Sequence, residues 1–169
     1  MAAGEERIIV GPQAGRVLAF SGQEVTFKVQ GDQTSGGLSI THQVAQPGSF
    51  VPPHMHAKTD EVSYVLEGKL GVMVGEEEFE ALAGAFVVRP KGVPHALWNI
   101  GERSARFLDM YTPAGHEAWF EELARMFSAP VPPSLDQMLE AGRHYDTILL
   151  PELAPPLIAK YNLRVPGMD

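Results

Sequence analysis

The sequence predicts an all-β fold, an antiparallel barrel or sandwich, with a short helical extension at its C-terminal end. Three observations predict it. Between residues 7 and 111 the apolar residues fall into short runs, several alternating with period two, the spacing of a strand with one buried face. The 17 glycines and 14 prolines lie between most of these runs and are spread along the chain, so they read as turn punctuation and not as low complexity. After Pro113 the apolar period changes to that of a helix.

Strands are expected over residues 8–10, 16–20, 25–29, 38–44, 62–66, 70–74, 85–88, 95–99 and 106–111. Glu76, Glu77 and Glu78 follow Gly75 and read as a solvated hairpin turn. Over residues 117–127, Trp119, Phe120, Leu123 and Phe127 share one side of a helical period. Ser134 and Gln137 form a capping-box pattern that opens a second short helix, with Leu135, Met138 and Leu139 as its apolar face and Gly142 as its stop. Pro151, Pro155, Pro156 and Pro166 restrict the remainder to a helical turn or two. Residues 1–112 are thus expected to form the barrel, and 113–169 an extension packed on it. Burying a large apolar side chain is worth about 1.5–3 kcal/mol, enough for the four on the first helix to hold the extension against the barrel.

Composition narrows the function. At 169 residues and 44% hydrophobic the chain has the size and apolar content of one domain. Its 13 basic against 21 acidic residues, a formal charge of -8, disfavour nucleic acid and anionic membrane as partners, because such binding requires neutralising phosphates. No apolar run approaches the roughly 20 residues that span a bilayer, and the first residues lack the basic-then-apolar order of a secretory signal, so a cytoplasmic location is the expectation. The absence of cysteine excludes disulfides, thiolate ligands and a Cys nucleophile, leaving His, Asp and Glu to hold any metal.

Two segments carry chemistry. In Gly48-Ser-Phe-Val-Pro-Pro-His54-Met-His56-Ala-Lys-Thr-Asp-Glu61, the histidines at i and i+2 of an extended segment point to one face and can grip one ion together. Glu61 lies just ahead of an apolar strand, where a hairpin-like bend can bring its carboxylate to the same ion. The second segment, Gly84 to Asn99, runs strand, Pro90–Gly92 turn, strand, and places His95 where it can complete the site.

Both segments resemble the two motifs of the cupin family. The first matches Gly48, His54, His56, Glu61 and Gly68 at every signature position, and the second matches Gly84, Pro90, Gly92, His95 and Asn99 at the required spacing. The resemblance spans residues 48–99 and implies a double-stranded β-helix barrel, with His54, His56, Glu61 and His95 as the ligands of one metal ion. Three imidazoles and one carboxylate suit a divalent transition ion such as iron, manganese, nickel, copper or zinc, with open positions left for substrate or oxygen. Cupins commonly protect exposed sheet edges by pairing, so residues 8–20 are expected to meet a neighbouring chain in a homodimer, with Tyr64 and Trp98 as outward apolar surface.

Strand parity nominates the neighbours of the metal. Ser63 and Val65 share the face of Glu61, and Leu97 that of His95, so all three are expected to line the substrate pocket. His42 lies on the side of Leu38, Ile40 and Val44 and is expected as a pocket-wall histidine in an apolar layer. Trp98, Tyr64 and Leu66 should face outward. Asp60 reads as a solvated loop acid, and His116 and His144 as surface residues. Asp109 interrupts an apolar strand and needs a partner if buried, as a residue behind the ligands or a proton acceptor.

The resemblance extends to the quercetin-dioxygenase-like branch of compact cupins. It implies a dioxygenase acting on a small aromatic or polyphenolic substrate, with Glu61 leaving the metal to accept a proton. Two other readings stay open on the same scaffold: a non-oxidative metal-assisted isomerase, cyclase or lyase, and a ligand-binding module without catalysis.

Overall fold

The computed structural model describes residues 9–164. In chain order the elements are β1 (Val17–Phe20), β2 (Gln23–Val29), β3 (Ser39–Ala45), β4 (Phe50–Met55), β5 (Asp60–Glu67), β6 (Lys69–Val74), β7 (Glu77–Leu82), β8 (Phe86–Arg89), β9 (His95–Trp98), β10 (Ala105–Thr112), α1 (Glu117–Phe127), α2 (Leu135–His144), β11 (Ile148–Leu149) and α3 (Ala154–Tyr161). The strands form two antiparallel sheets, ordered β1-β2-β3-β10-β5-β8 and β11-β4-β9-β6-β7. Val65, Ala105 and Phe107 of the first pack against Leu70, Val72 and Leu97 of the second, giving one end of the barrel an apolar core. This is the jelly-roll, double-stranded β-helix architecture that the motifs imply.

Three strands escape the periodicity, the two-residue β11 being too short to show any. β4 carries Pro52 and Pro53, which remove ladder donors and make it read as merely extended. On β7 only Ala81 is buried, so alternation has almost nothing to report there. Glu77 and Glu78 belong to this strand and not to the turn. Residues 9 and 10 form no strand, and Ile8 lies outside the described residues. β1 pairs with β2 of its own chain, and its other edge is unpaired among the described residues.

The extension packs in two places. The apolar side of α1 joins Val25, Phe27 and Tyr111 in a cluster with Trp119, Phe120 and Leu123, at the open end of the barrel. α3 covers the outer face of the second sheet, where Ala154, Leu157 and Leu163 meet Phe50, Met73, Ala96 and Trp98. Pro155 and Pro156 sit in the first turn of α3, where their missing N–H groups have no helical partner to lose. Trp98 does face out of the barrel, but α3 leaves it only 1% exposed, with the Tyr161 ring tilted against it at 4.7 Å. It is therefore not available to a partner chain. Tyr64 faces out beside Phe86, at 4.5 Å between rings, and Phe86 is 66% exposed. Among the described residues no helix is long and apolar enough to cross a membrane.

The seat of Trp98 needs a glycine. A Cβ on Gly71 would stand 1.9 Å from the Trp98 Nε1, so only a bare backbone lets the indole lie across β6. Gly71→Ala should expel the indole from under α3 and lower the unfolding free energy by about 1–3 kcal/mol, the range for over-packing a filled site. Urea unfolding checks this: an unchanged midpoint would mean that the indole is not held there.

Candidate metal centre

Four side chains converge where β4, β5 and β9 meet. His54 lies opposite His95 in the β4–β9 ladder, and alternation carries His56, two residues on, to the same side. Glu61 opens β5 after the bend at residues 57–59. The ring centroids are 4.3 Å apart for His54 and His95, 5.1 Å for His54 and His56, and 5.2 Å for His56 and His95. All four residues are buried, and one ligand atom from each lies within 4.8 Å of the others.

Each imidazole is oriented from behind. Nδ1 of His54 donates to the Pro52 carbonyl at 2.8 Å, that of His56 to the Asp146 carbonyl at 2.9 Å, and that of His95 to the Val93 carbonyl at 3.0 Å. A neutral ring whose Nδ1 carries the proton turns an Nε2 lone pair toward the centre. Glu61 Oε2 stands 3.4 Å from the His56 Nε2 and 3.2 Å from the His95 Nε2, and no hydrogen bond satisfies any of the three atoms. Buried acceptors facing one another are costly unless a cation lies among them. Ligands at about 2.0–2.2 Å from one ion stand about 3–3.5 Å from each other, so the spacing fits a single metal. The residues can thus hold one metal ion.

A second polar layer lies behind Glu61. Arg89 faces Glu61 across the β5–β8 ladder, with Nη2 3.2 Å from Oε1 and 2.5 Å from the Asp109 Oδ1. Ser63 joins both Arg89 and Asp109, and Gln43 donates to Asp109 at 3.0 Å and to the Tyr111 hydroxyl at 3.2 Å. Burial alone would raise the pKa of Glu61, but the Arg89 guanidinium outweighs it and holds the group well below the usual carboxylate range. One guanidinium cannot serve two carboxylates equally. Burial therefore wins at Asp109, against the pull of Arg89, and raises it to about 7. His54 is pushed well down by burial and then by His95 and His56.

His54 and Glu61 of the cluster open onto a cavity of about 420 Å³. Phe107, Leu97 and Val51 supply its barrel wall, while Trp119, Phe120, Met138 and Ile158 come from the extension. Of the expected pocket residues, Leu97 lines it. Ser63 and Val65 point inward as parity requires, but Ser63 is held by Asp109 and Arg89, and Val65 is packed in the apolar core. His42 is placed differently. On β3 the buried face is Ser39, Thr41, Gln43 and Ala45, so His42 looks outward to Arg106, whose Nε is 3.3 Å from its ring. The reason is that this part of the barrel interior is polar: β3 turns its hydrogen-bonding side chains toward Asp109 and its apolar ones away.

Several functional residues gave little sequence signal. His116, expected at the surface, is buried, stacks on Tyr111 at 4.4 Å and meets the His56 ring edge-on at 4.7 Å. Burial, then the neighbouring His56, pushes it down to about 3. Arg89 was detectable only as an arginine sharing the inward parity of Val87; nothing marked Asp146. Asp60 is no free loop acid, since it accepts from the Lys91 backbone at 2.9 Å and ties the two motifs together. His144 is exposed on α2, as expected.

A jelly-roll barrel with a buried three-histidine, one-carboxylate cluster defines a class of proteins built to hold one metal at the mouth of a ligand cavity. Residues 41–111 carry a cupin domain, and the fold and the site support the cupin superfamily. The cupin-domain profile matches residues 41–111, which include all four candidate ligands. Among curated proteins, the chain is 32% identical over 80 residues to germin-like protein subfamily T member 2 of Arabidopsis thaliana, covering 44% of this chain and 36% of that one. It is 27% identical over 154 residues to quercetin 2,3-dioxygenase of Bacillus subtilis, covering 86% of this chain and 45% of the relative. The chain thus spans only part of the curated relatives it matches. A solved structure described as a predicted oxalate decarboxylase from Thermotoga maritima superposes with a TM-score of 0.59 at 18% identity, over 62% of this chain and 98% of the other, and supports the fold.

The buried histidines make a pH prediction for the metal-free protein. His116 has a folded value of about 3 against an ordinary 6.5, so below pH 6.5 the unfolded chain binds a proton that the folded chain refuses. Its contribution is complete above pH 6.5 and is lost as pH falls toward 3; the lowered His54, His95 and Glu61 act in the same sense, and the raised His56 and Asp109 in the opposite one. His116→Phe should flatten the slope of unfolding free energy against pH, between pH 6 and 4, by up to about 1.4 kcal/mol per pH unit. Urea titrations in chelator would test this, and a slope equal to that of the parent would refute it.

Proposed function

We propose that the protein is a metal-dependent dioxygenase acting on a small aromatic or polyphenolic molecule. The observation that carries this reading is the cavity: its lining is mostly aromatic and aliphatic, and two of the four ligands, His54 and Glu61, open onto it. A flat apolar body carrying an oxygen that can reach the metal matches that lining. The likeness to a quercetin 2,3-dioxygenase across most of this chain agrees with it.

A divalent transition ion held by His54, His56, Glu61 and His95 would supply polarisation of a substrate oxygen and, when redox-active, a site for dioxygen. The protein's own groups do the rest. Phe107, Leu97, Trp119 and Phe120 sandwich the ring system and exclude water. Glu61 is the proton acceptor for a phenolic hydroxyl through Oε2, because Arg89 engages Oε1. Asp109 lies within reach of Glu61 and, raised to about 7, can take that proton over near neutral pH. A homodimer, with the edge of β1 or the face around Tyr64 and Phe86 as its surface, belongs to the same proposal.

The test begins with metal. Protein loaded separately with iron, manganese, nickel, copper or zinc should bind one ion per chain, and His95→Ala should lose that binding. An oxygen electrode with a panel of flavonols and catechols should then register uptake that depends on the loaded metal. Glu61→Gln should slow it by about 100-fold or more, the usual contribution of a positioned base together with a ligand defect. Turnover of a panel member without oxygen consumption would overturn the dioxygenase reading in favour of isomerase, cyclase or lyase chemistry, and tight binding without turnover would favour a binding module.

A further inference from the structure

Asp146 lies outside both metal motifs, in the turn between α2 and β11, yet it makes four hydrogen bonds to the segment that carries the ligands. Its Oδ1 accepts from the Ala57 N–H at 3.1 Å, and its Oδ2 from the Lys58 N–H at 3.0 Å and the Thr59 hydroxyl at 3.0 Å. Its backbone carbonyl accepts from the His56 Nδ1 at 2.9 Å. One residue thus holds the whole bend between His56 and Glu61 and fixes the tautomer of a ligand.

The local backbone is built to deliver it. Asp146 has φ of 55°, a left-handed conformation that Asp tolerates better than most residues. The turn closes through the Tyr145 and Thr147 N–H groups, at 3.0 and 2.9 Å from the Gly142 carbonyl. Gly142 permits this because a Cβ there would stand 2.5 Å from the Thr147 carbonyl oxygen. Immediately afterwards β11 pairs with the ligand strand β4, Ile148 opposite Met55 and Leu149 opposite His54, and the Leu150 N–H reaches the Pro53 carbonyl at 2.8 Å. The strand bearing His54 is therefore flanked by β9 on one side and by the extension on the other.

We infer that Asp146 is a positioning residue for the metal, and that binding of the metal and docking of residues 142–150 are energetically coupled. The inference rests on the metal centre proposed above. A cation among the four ligands requires Nε2 of His56 and the carboxylate of Glu61 to stay on their common centre, and Asp146 restrains the chain between them. By linkage, whatever the docked turn contributes to metal affinity, the metal returns to the docked turn.

Cobalt(II), whose visible absorption reports its coordination, serves as the probe on the full chain. Asp146→Ala should weaken cobalt binding by about 10- to 100-fold, the usual effect of removing a group that orients ligands, with Asp146→Asn between it and the parent. Leu157→Ala, which loosens α3 at a distance from the loop, should lower the urea midpoint and leave cobalt affinity unchanged. Cobalt should also slow amide exchange at Ala57, Lys58 and Thr147 to Leu149 in the parent, and less so in Asp146→Asn. Parent-like affinity in both Asp146 variants, or an equal loss in Leu157→Ala, would overturn the inference and leave the metal centre standing. If Asp146→Ala does not fold, the Asn variant decides alone. Failure of the parent itself to bind cobalt would overturn the metal reading and this inference with it.

Discussion

Lone pairs that face one another in a dry interior are the constraint around which this molecule is arranged. The imidazole nitrogens of His56 and His95 meet a carboxylate oxygen of Glu61 with no donor to satisfy them, and without a cation the arrangement works against folding. Each feature of the surrounding structure keeps those acceptors aimed. Backbone carbonyls hold every Nδ1, Arg89 keeps the carboxylate ionised, and strand pairing sets His54 opposite His95. A site so costly when empty retains its geometry only because rigid elements impose it.

The barrel divides its interior between two tasks. One end is filled by Val65, Leu70, Val72 and Phe107 and supplies apolar cohesion. The other replaces that packing with Gln43, Asp109, Arg89 and Tyr111, a connected network in which most buried polar atoms find partners. The metal ligands sit where this layer meets the open cavity. The extension then completes the molecule: α1 and α2 wall the cavity with aromatic and aliphatic side chains, and α3 seals Trp98 from water.

Much of this was legible in the residues. The four ligands stood out because two motifs with rigid spacing contain them, and the strands of the apolar core alternate cleanly. His42 shows where the reading turns over: periodicity finds the apolar side of β3, but which side faces in depends on what the interior contains, and here the interior is polar. His116 and Asp146 mark a second limit. Their importance arises from contacts to residues 60 and about 90 positions away, which no local pattern records. Glu77 and Glu78 mark a third, since a strand exposed on nearly every residue has the composition of a turn.

The short strand β11 has a consequence for how such a protein can change over time. Chemistry resides in the barrel motifs and cavity shape largely in α1, α2 and α3, so a new specificity could arise by exchanging helices while the metal stays in place. The exchange is not free along the whole extension. The turn and strand between α2 and α3 are stitched to β4, so they must be inherited with the motifs, whereas the helices on either side can diverge. A graft that respects this boundary moves the walls of the chamber and leaves its hearth untouched.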